Sequence, residues 1–384
     1  MAFLLAVATF GSWISLARGV NPSTEIPDGQ DYEVTWDNLQ PIPVGLSDAT
    51  AATVGDHIYL IGGCDSPSGN EDFGDFQACT QITSTIRIYS VVDDSWTTGT
   101  SMPSQRYRHA SAVHGDDIYV VGGRDVDDNL MHTVLKYSTT AGTWEVVVQN
   151  FAEATSDNAA FFSGNMLYTC GGWQVNYTAE AKCFVMDVTA ASPSFTDSGM
   201  SLQIPRGDHR IVVLDNRAYL LGGFNGTYYH TNTMEVLDLT SSAGWTMDNI
   251  APMIHGRGDF AMVAYNGRIL AMGGEDGSDS DLDAGASLRH VEVYDPALNT
   301  WLPDTSLVAL PHPVFRFMAA STSAKVFIFG GQLALSNLCT CYPTDPRVFS
   351  YQEQTIGSIS FAARSHLQVA SLVLAIYAAL RAVV

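Results

Sequence analysis

The chain of 384 residues carries 40 aspartates and glutamates against 18 lysines and arginines, and this net charge of −22 argues against a nucleic-acid partner. Charged residues make up only 15% of the chain and hydrophobic residues 46%, which excludes an intrinsically disordered protein and predicts a large buried core. A chain of this length would normally form two or three domains, but all-β folds built from repeats often exceed that size as a single unit, so internal repeats decide between the two.

The N-terminus has the layout of a secretory signal peptide. Residues 2–16 read AFLLAVATFGSWISL, without a charge, and are followed by Ala17-Arg18-Gly19 and the turn-forming Asn21-Pro22. Small residues two apart after a short apolar run are typical of a cleavage site, so we predict a signal peptide over 1–19. A buried N-terminal helix is the alternative.

Pairs of glycines recur along the chain with a period near 50. They stand at 62/63, 122/123, 171/172, 222/223, 273/274 and 330/331, and each ends a β-rich run such as HIYLIGG, DIYVVGG or RAYLLGG. A repeat of this length predicts a β-propeller, and the glycines mark a strand end at which the backbone turns with positive φ.

Most repeats supply two further strand signals. After a variable loop comes a second run: TIRIYS, TVLKYS, KCFVMD, TMEVLD, HVEVYD or PRVFSY. Trp96, Trp144 and Trp301 follow the tyrosine of this run by seven residues, and Trp245 follows Leu237 by eight, which predicts a last strand with a buried aromatic. Each module therefore has four strands, and such sheets bury their faces by stacking around an axis.

The hydrophobic-Tyr-x-x-Gly-Gly strand, the VEVYDP strand and the tryptophan seven residues later resemble kelch repeats, six times over residues 32–351. The third module departs most, with Phe195 in place of tryptophan and Met186 in place of tyrosine. The resemblance implies an all-β fold, a six-bladed kelch β-propeller. Because no tryptophan follows VFSYQ in the sixth module, we predict that YEVTWDNLQPIP (32–43) closes the ring as an N-terminal strand carrying Trp36.

The resemblance also indicates a ligand site. Sixteen residues before the glycine pairs of modules two, four and five stand Arg106, Arg206 and Arg257, where kelch domains often bind acidic peptides. A guanidinium group binds a carboxylate through two parallel hydrogen bonds. The alternative is that these arginines brace neighbouring blades.

The loops that follow the glycine pairs are acidic, and we expect them to attract basic partners or divalent cations. They contain Asp65, Glu71, Asp72, Asp75, Asp125, Asp127, Asp128, Glu275, Asp276, Asp279, Asp281 and Asp283. The spacing from 279 to 283 is similar to an EF-hand, but no glycine follows in register, so we predict no bound metal. Arg-Gly-Asp triplets at 206–208 and 257–259 begin inner strands, a context that disfavours integrin-type adhesion.

Six cysteines in a secreted chain predict disulfides. We expect local pairing of Cys64 with Cys79, Cys170 with Cys183 and Cys339 with Cys341, although two reactive or metal-binding thiols are an alternative for the last pair. Asn176-Tyr-Thr and Asn225-Gly-Thr are acceptor sites for N-glycosylation in loops after a glycine pair.

The C-terminus predicts attachment to a membrane. A linker over 352–366 contains the small residues Gly357-Ser358-Ile359-Ser360, and a hydrophobic tail follows over 367–384. Small residues, a spacer and an apolar tail are the layout of a GPI signal, with Ser358 as the attachment residue. A short transmembrane anchor and a helix packed on the domain are the alternatives.

The sequence contains no motif of a catalytic site. A P-loop, a His-x-x-x-His pair and Gly-x-Ser-x-Gly are all missing, so we predict no catalytic residue and no cofactor. Enzymes similar to copper radical oxidases or sialic-acid epimerases use related propellers and are the alternative by fold analogy. The roughly 30 residues before Tyr32 are too few for the dimerisation region of intracellular kelch adaptors. We therefore expect a monomeric, secreted or cell-surface propeller that binds an extracellular protein or glycan through its loops and channel mouth.

Overall fold

The computed structural model describes residues 32–33, 36–66, 70–72, 77–276, 287–302, 309–333, 341–342, 344–352 and 354–355. These residues form strands, turns and loops without a helix, which confirms the all-β prediction. Accordingly, no helix in the described part of the chain could cross a bilayer. The signal peptide 1–19, Ser358 and the tail 367–384 lie outside the described residues.

The strands form six antiparallel sheets, the blades of a propeller, in which spatial order follows chain order. Blade one contains Thr50–Val54, His57–Ile61, Ile86–Ser90 and Ser95–Thr98. Blade two contains Ala110–His114, Asp117–Val121, Val134–Ser138 and Thr143–Val148. Blade three contains Ala159–Ser163, Met166–Cys170, Lys182–Asp187 and Thr196–Ser201. Blade five contains Ala261–Tyr265, Arg268–Met272, Val291–Asp295 and Thr300–Trp301.

The N-terminal strand closes the ring, as predicted. Blade six consists of Met318–Ser321, Val326–Phe329, Val348–Tyr351 and Trp36–Asn38. The ring of Trp36 lies 5.6 Å from that of Tyr351, and its Nε1 donates to the carbonyl of Ala309 at 3.1 Å. Pairing the two ends of the propeller in one sheet removes the edge strands that would otherwise be free.

The propeller unit spans Thr35–Gln352, so it begins slightly later than the predicted 32–351. The chain segments before and after it form a second unit, in which the described strands Tyr32–Glu33 and Gln354–Thr355 pair antiparallel. The strand that closes blade six is accordingly shorter than the stretch 32–43 suggested.

Blade four departs from the predicted four strands. It contains Arg210–Leu214, Arg217–Leu221 and Met234–Asp238, and only a single bridge joins Thr246 to Val236. Trp245 follows Leu237 of the third strand by eight residues, whereas the tryptophans of blades one, two and five follow the equivalent tyrosine by seven. The extra residue shifts the segment around Trp245 out of register with the third strand. The side chain of Trp245 is nonetheless buried between blades three and four, 6.1 Å from the ring of Phe161.

The first strands of adjacent blades contact one another around the central axis and are therefore the innermost. Since the strands in a blade are antiparallel, the loop after the second strand and the loop into the first strand open on one face. We call it the mouth face. Two small sheets lie among these loops, one formed by Asn70–Asp72, Gln77–Cys79 and Cys341–Tyr342 and one by Arg206–Gly207 and Phe224–Asn225.

The core lies between the blades, where each described hydrophobic cluster combines residues of two neighbouring sheets. Tyr89 is 1% exposed, and its ring lies 5.0 Å from Trp96 of its own blade and 5.8 Å from Phe329 of blade six. Equivalent tyrosine–tryptophan pairs recur in blades two and five at 4.9 and 5.2 Å. The repeated aromatic of the sequence thus fills the space between blades.

Two disulfides form by the expected local pairing. Cys64 is bonded to Cys79 at the end of the first module's loop, and Cys170 to Cys183 across two adjacent strands of blade three. Cys339 lies outside the described residues, so the third pairing stays a prediction. Both glycines of every pair adopt a positive φ, as predicted for a strand end.

Two histidines make the stability of the fold dependent on pH. His109 and His209 begin the inner strands of blades two and four and are 5% and 0% exposed. Burial, followed by the charge of Arg206, lowers the pKa of His209 to about 3. The folded imidazole therefore stays neutral down to about pH 3, whereas in the unfolded chain it gains a proton below its usual pKa near 6.5.

We expect the substitution His209→Phe to reduce acid destabilisation. Because the unfolded state binds the proton first, stability falls as the pH drops below about 6.5, by about 2 kcal/mol per such histidine at pH 5. Phenylalanine fits the site because Phe260 and Phe317 occupy its equivalents in blades five and six. Urea unfolding at pH 7 and pH 5 should show about 2 kcal/mol less loss for the variant. An equal loss in both proteins would contradict the expectation.

Candidate functional site

Six residues at equivalent positions form a charged ring around the central axis. Each lies 14 residues before the first glycine of its pair, and each has a φ between 51° and 56°. The members, from blade one to blade six, are Asp48, Arg108, Asp157, Asp208, Asp259 and Arg316. Left-handed backbone in residues other than glycine is costly and concentrates at functional sites, which makes this ring the leading candidate.

The backbone of the ring joins the blades to one another. The amides of five members, all except Asp259, donate to the carbonyl of the member in the preceding blade, for example Arg108 N to Asp48 O at 2.9 Å and Asp157 N to Arg108 O at 2.7 Å. The amide of Asp48 donates to the carbonyl of Arg316 at 3.0 Å and so joins blade one to blade six. The left-handed φ turns each amide towards its neighbour, and the side chains are held in fixed positions around the channel.

The two arginines of the ring neutralise only part of its acidity. Nε of Arg108 lies 3.4 Å from Oδ1 of Asp48, and Nε of Arg316 lies 3.8 Å from the same oxygen. Arg316 also donates to Oδ2 of Asp259 at 2.8 Å. Among the described residues Asp157 and Asp208, in blades three and four, form no ion pair, although the charge of Arg108 partly offsets the effect of burial on the pKa of both.

Three carboxylates converge on the side of blades three to five. Oxygens of Asp157, Asp208 and Asp259 lie within 4.8 Å of one another, close enough to share one cation. Oδ2 of Asp208 accepts a hydrogen bond from Nε1 of Trp173 at 2.6 Å. Oδ2 of Asp157 is buried and has no hydrogen-bond partner. We call these three residues the acidic cluster.

Burial and mutual repulsion raise the proton affinity of this cluster. Burial, and then the neighbouring carboxylates, raise the pKa of Asp208 well above its usual value, and the pKa of Asp157 is raised mainly by burial. Burial and then the charge of Asp259 raise the pKa of Glu275 to about 7. Burial opposes the ionisation of Asp259 too, but Arg316, Arg210 and Arg108 together outweigh burial, and the pKa of Asp259 lies below its usual value. A positive ligand would relieve this repulsion.

The ring separates two cavities along the axis. The inner one, about 170 Å³, runs between the first strands and is lined by ring residues and by side chains of the first strands, several of them small, such as Ala49, Ala110 and Ala261. The outer one, about 270 Å³, opens on the mouth face. Five of the six ring residues, all except Asp48, line it. The remaining lining residues are Glu275 and four aromatic side chains, Trp173, Tyr177, Phe224 and Tyr228.

The aromatic residues of the outer cavity come from loops with one repeated geometry. In blades two, three and four the fifth residue of the loop, Asp128, Tyr177 or Tyr228, has a φ of 55–62°. The first residue of one loop contacts the fifth residue of the next. The Arg124 guanidinium lies 4.1 Å from the centroid of the Tyr177 ring, and the Trp173 ring stacks on Tyr228 at 4.9 Å.

The arginines predicted to bind a ligand do not reach the mouth. Arg106, Arg206 and Arg257 are 0% exposed, and NH1 of each donates to the carbonyl of the first glycine in its pair. Arg206 also pairs with Glu235 at 2.8 Å, and Arg257 pairs with Glu292. The ligand-binding hypothesis is therefore corrected in favour of the alternative, in which these arginines stabilise the blades. Their guanidinium groups are buried and already hydrogen-bonded inside the propeller.

Both Arg-Gly-Asp triplets are explained by the architecture. Their arginines are the buried braces, and their aspartates, Asp208 and Asp259, belong to the ring. A Cβ on Gly207 would overlap the indole of Trp173, and one on Gly258 would overlap the ring of Phe224. The glycines thus admit an aromatic side chain from the preceding blade. The triplets are not exposed in a loop, as adhesion would require.

The acidic loops are partly paired. Asp65 pairs with Arg87 at 3.1 Å, and Asp128 with Arg124 at 3.1 Å, while Glu275 lines the outer cavity. Asp279, Asp281 and Asp283 lie outside the described residues. The predicted glycosylation sites flank the outer cavity on the mouth face. Asn176 is exposed beside Tyr177, and Asn225 is half-buried four residues before Tyr229, to whose amide its Oδ1 bonds at 3.0 Å.

The described cysteines bear on the oxidase alternative. Cys64, Cys79, Cys170 and Cys183 are all engaged in disulfides and so are not available for a cross-link to tyrosine. The two histidines at equivalent inner-strand positions, His109 and His209, are buried beside Arg106 and Arg206 with pKa values lowered to about 3 by burial. Neither histidine is placed to exchange protons with a ligand near neutral pH.

The charged ring was not predicted from the sequence, although the sequence contains a pattern that marks it. The residues 16 positions before the glycine pairs include the buried arginines Arg106, Arg206 and Arg257, whereas the residue 14 positions before each pair is charged in all six modules. The neighbouring positions lacked this uniformity: at 16 residues back, modules one, three and six carry Leu46, Thr155 and Val314. Uniform charge at a strand start was therefore the informative pattern.

Comparison with known families finds kelch repeats along most of the chain. The profile of the KLHDC2/KLHL20/DRC7 Kelch-repeats domain matches residues 32–223, half of the chain. The profile of the Kelch motif matches residues 205–243 and 256–307.

Several curated proteins are similar to the chain at low identity. Kelch-like protein 23 and Kelch-like protein 38, both from Homo sapiens, are each 24% identical, over 284 and 281 residues, and each alignment covers 73% of this chain. The chain spans 46% and 44% of those two proteins, about half of their length. Alpha-scruin from Limulus polyphemus is 27% identical over 190 residues, which are 49% of this chain and 20% of alpha-scruin.

A solved structure confirms the architecture. The structure titled "Structure of YjhT" superimposes with a TM-score of 0.64 at 15% identity, covering 82% of this chain and 99% of that one. Identity this low shows the shared six-bladed fold alone.

Proposed function

This chain belongs to the kelch-repeat family, and on that premise we propose that it is a secreted or cell-surface recognition module that binds an extracellular protein at its mouth face. The observation that carries the proposal is the outer cavity, a concave site lined by four aromatic side chains and by charged groups on a rigid ring. Sites of this kind, apolar walls with a few fixed polar groups, are typical of binding pockets.

The surface around the cavity supports a protein partner. Eight large hydrophobic side chains are exposed in the described residues, and half of them lie on the loops after the glycine pairs of blades two to four: Val126, Val175, Tyr228 and Tyr229. Tyr228 and Tyr229 are 59% and 69% exposed. Exposed aromatic residues at the edge of a pocket are characteristic of interaction surfaces, in which tyrosine and tryptophan contribute most of the binding energy.

Secretion is part of the proposal. The signal-like residues 1–19 and the two disulfides fit an oxidising compartment. The acceptor sites Asn176 and Asn225 fit the same route, and Ser358 would carry a GPI anchor. We also propose that the propeller acts as a monomer, because the ring closes on itself and needs no second chain.

The test compares the two faces of the propeller. The full chain is used to isolate a partner from extracellular fluid, and the affinity of that partner is then measured for variants. We expect Tyr228→Ser combined with Tyr229→Ser to weaken binding at least tenfold, because it removes two aromatic contacts. Val92→Ser combined with Leu298→Ser is the matched control, since both residues are exposed in turns of the opposite face.

Equal binding by the mouth variant and the control would overturn the mouth as the site. Loss of binding on protease treatment of the partner supports a protein, whereas loss only on glycosidase treatment would make the ligand a glycan. Recovery of the full chain only from the cytosol, without N-glycans, would overturn the secretory part of the proposal.

A further inference from the structure

Carboxyl groups outnumber guanidinium groups in the outer cavity on the side of blades three to five. The acidic cluster and Glu275 place four carboxyl groups along its wall, opposed by Arg108 and Arg316. Both arginines already contact Asp48, and Arg316 is also bonded to Asp259. Among the described residues Asp157 and Asp208 form no ion pair, and burial opposes the ionisation of both, so a cation beside them would favour their charged form.

Asp157 shows that a partner is missing from this wall. The residue is only 9% exposed, and its Oδ2 is buried without a hydrogen-bond partner. A carboxylate oxygen buried in this way is costly unless something donates to it, and buried charges in folded proteins are paired. Asp157 lines the outer cavity as well as the inner one, so a donor entering from the mouth face can reach it.

The aromatic walls indicate which kind of cation fits. Trp173 is 2% exposed and stacks on Tyr228 at 4.9 Å, with the two rings nearly parallel at 16°. A Lys or Arg side chain has an apolar stem and a charged head, so it uses such walls together with carboxylates at the base. A hydrated metal ion would gain nothing from the rings and would need oxygen ligands on that side as well.

The neighbouring loops already contain one complete example of this recognition. The Arg124 guanidinium lies 4.1 Å from the Tyr177 ring, and its NH1 donates to Oδ2 of Asp128 at 3.1 Å. Trp173 and Tyr228 occupy the same two loop positions one blade further on, beside the acidic cluster. There the Trp173 ring takes the place of the Arg124 guanidinium, so blades two and three meet through a cation supplied by the chain, whereas blades three and four meet through an aromatic pair in which Tyr228 stays 59% exposed.

We propose that the outer cavity binds a lysine or arginine side chain of the protein partner, with its charged head at Asp157 and Asp208 and its stem against Trp173 and Tyr228. This inference rests on the proposed function and reverses the ligand charge that the buried arginines suggested from the sequence. The specificity of the mouth is for a basic segment.

The probes are small amides that differ only in the head group. Nα-acetyl-lysine methylamide and Nα-acetyl-arginine methylamide carry the cation, and Nα-acetyl-norleucine methylamide has an uncharged aliphatic side chain. Titration of the full chain, followed by ligand-observed NMR at constant ionic strength, should show saturable binding of the cationic probes at least tenfold tighter than of norleucine. Equal binding of the three probes would overturn the proposal.

Variants locate the binding. Asp157→Asn preserves the shape of the side chain and should weaken binding of the cationic probes at least tenfold. The control is Asp116→Asn, which changes the formal net charge equally at an exposed residue on the opposite face and should leave that affinity unchanged. If Asp157→Asn fails to fold, Tyr228→Leu supplies the second variant, because the side chain of Tyr228 is 59% exposed and leucine keeps an apolar contact with Trp173. Cationic-probe affinity that survives both changes contradicts the assignment. Calcium binding that Asp157→Asn abolishes, without binding of the lysine probe, would identify a metal site and overturn the proposal.

The two proposals fail in different ways. If Tyr228→Ser with Tyr229→Ser abolishes partner binding while the lysine probe neither binds nor competes, recognition at the mouth stands and the basic ligand is wrong. If the lysine probe binds but the mouth variant leaves partner binding unchanged, the cationic pocket stands and the proposed partner site is wrong.

Discussion

Replacing Arg257 by valine is expected to destabilise the propeller by about 3–5 kcal/mol, because it leaves Glu292 buried and uncompensated. Arg257 and Glu292 are 0% and 1% exposed and pair directly inside blade five. The guanidinium also donates to the carbonyls of Gly273 and His290 at 3.0 and 3.1 Å, and these acceptors would lose their donor. Urea unfolding of the full chain measures the loss.

A double variant separates the ion pair from general packing damage. Blade six carries Val314 and Phe349 at the two equivalent positions, so Arg257→Val with Glu292→Phe copies an arrangement that this fold already contains. We expect the double variant to lose less stability than the sum of the two single changes, since removing both charges leaves none unpaired. Recovery is incomplete because the Glu292 carboxylate also accepts from the amide of Ile254 at 2.6 Å.

Arg217→Val, at an exposed arginine, is the control and should change the unfolding free energy by no more than about 0.5 kcal/mol. Unfolding of Arg257→Val at the same urea concentration as the parent, together with lost partner binding, would restore the hypothesis that this arginine recognises a ligand.

Replacing Gly223 by alanine is expected to cost more than about 4 kcal/mol or to prevent folding. This glycine has a φ of 87°, and a Cβ would overlap the carbonyl oxygen of Gly207 and lie 2.8 Å from the backbone nitrogen of His209. Both contacts are with backbone of the inner-strand entry that carries Asp208, so relief would require the ring itself to move.

Gly164→Ala separates the steric effect from the dihedral cost. Gly164 has a φ of 57° in an exposed turn, and a Cβ there would meet nothing within 4 Å. Its replacement should cost only about 1–2 kcal/mol, the penalty of left-handed backbone in a residue with a side chain. A loss for Gly223→Ala no larger than that for Gly164→Ala, measured by urea unfolding, would show that the close approach to Gly207 is unimportant.

The repeat pattern is sufficient to predict the architecture. The period near 50 set the number of blades, and the aromatic spacing set the strand order, since a repeated pattern reports the same local environment six times. The repeat also predicted that Trp36 closes the ring and that Cys170 pairs with Cys183. Both features depend on neighbours within one blade. Blade four failed the prediction of a fourth strand for a local reason too, the extra residue before Trp245.

Which charged residues face the mouth depends on contacts that exist only in the folded chain. Arg206 and Asp208 are two residues apart in one strand entry, yet one is buried against Glu235 and the other lies at the channel. Spacing cannot distinguish them, because the left-handed turn at Asp208 sets the direction of its side chain. The acidic cluster and its aromatic walls arise from separate blades, about 50 residues apart in sequence, and only the closed ring brings them together.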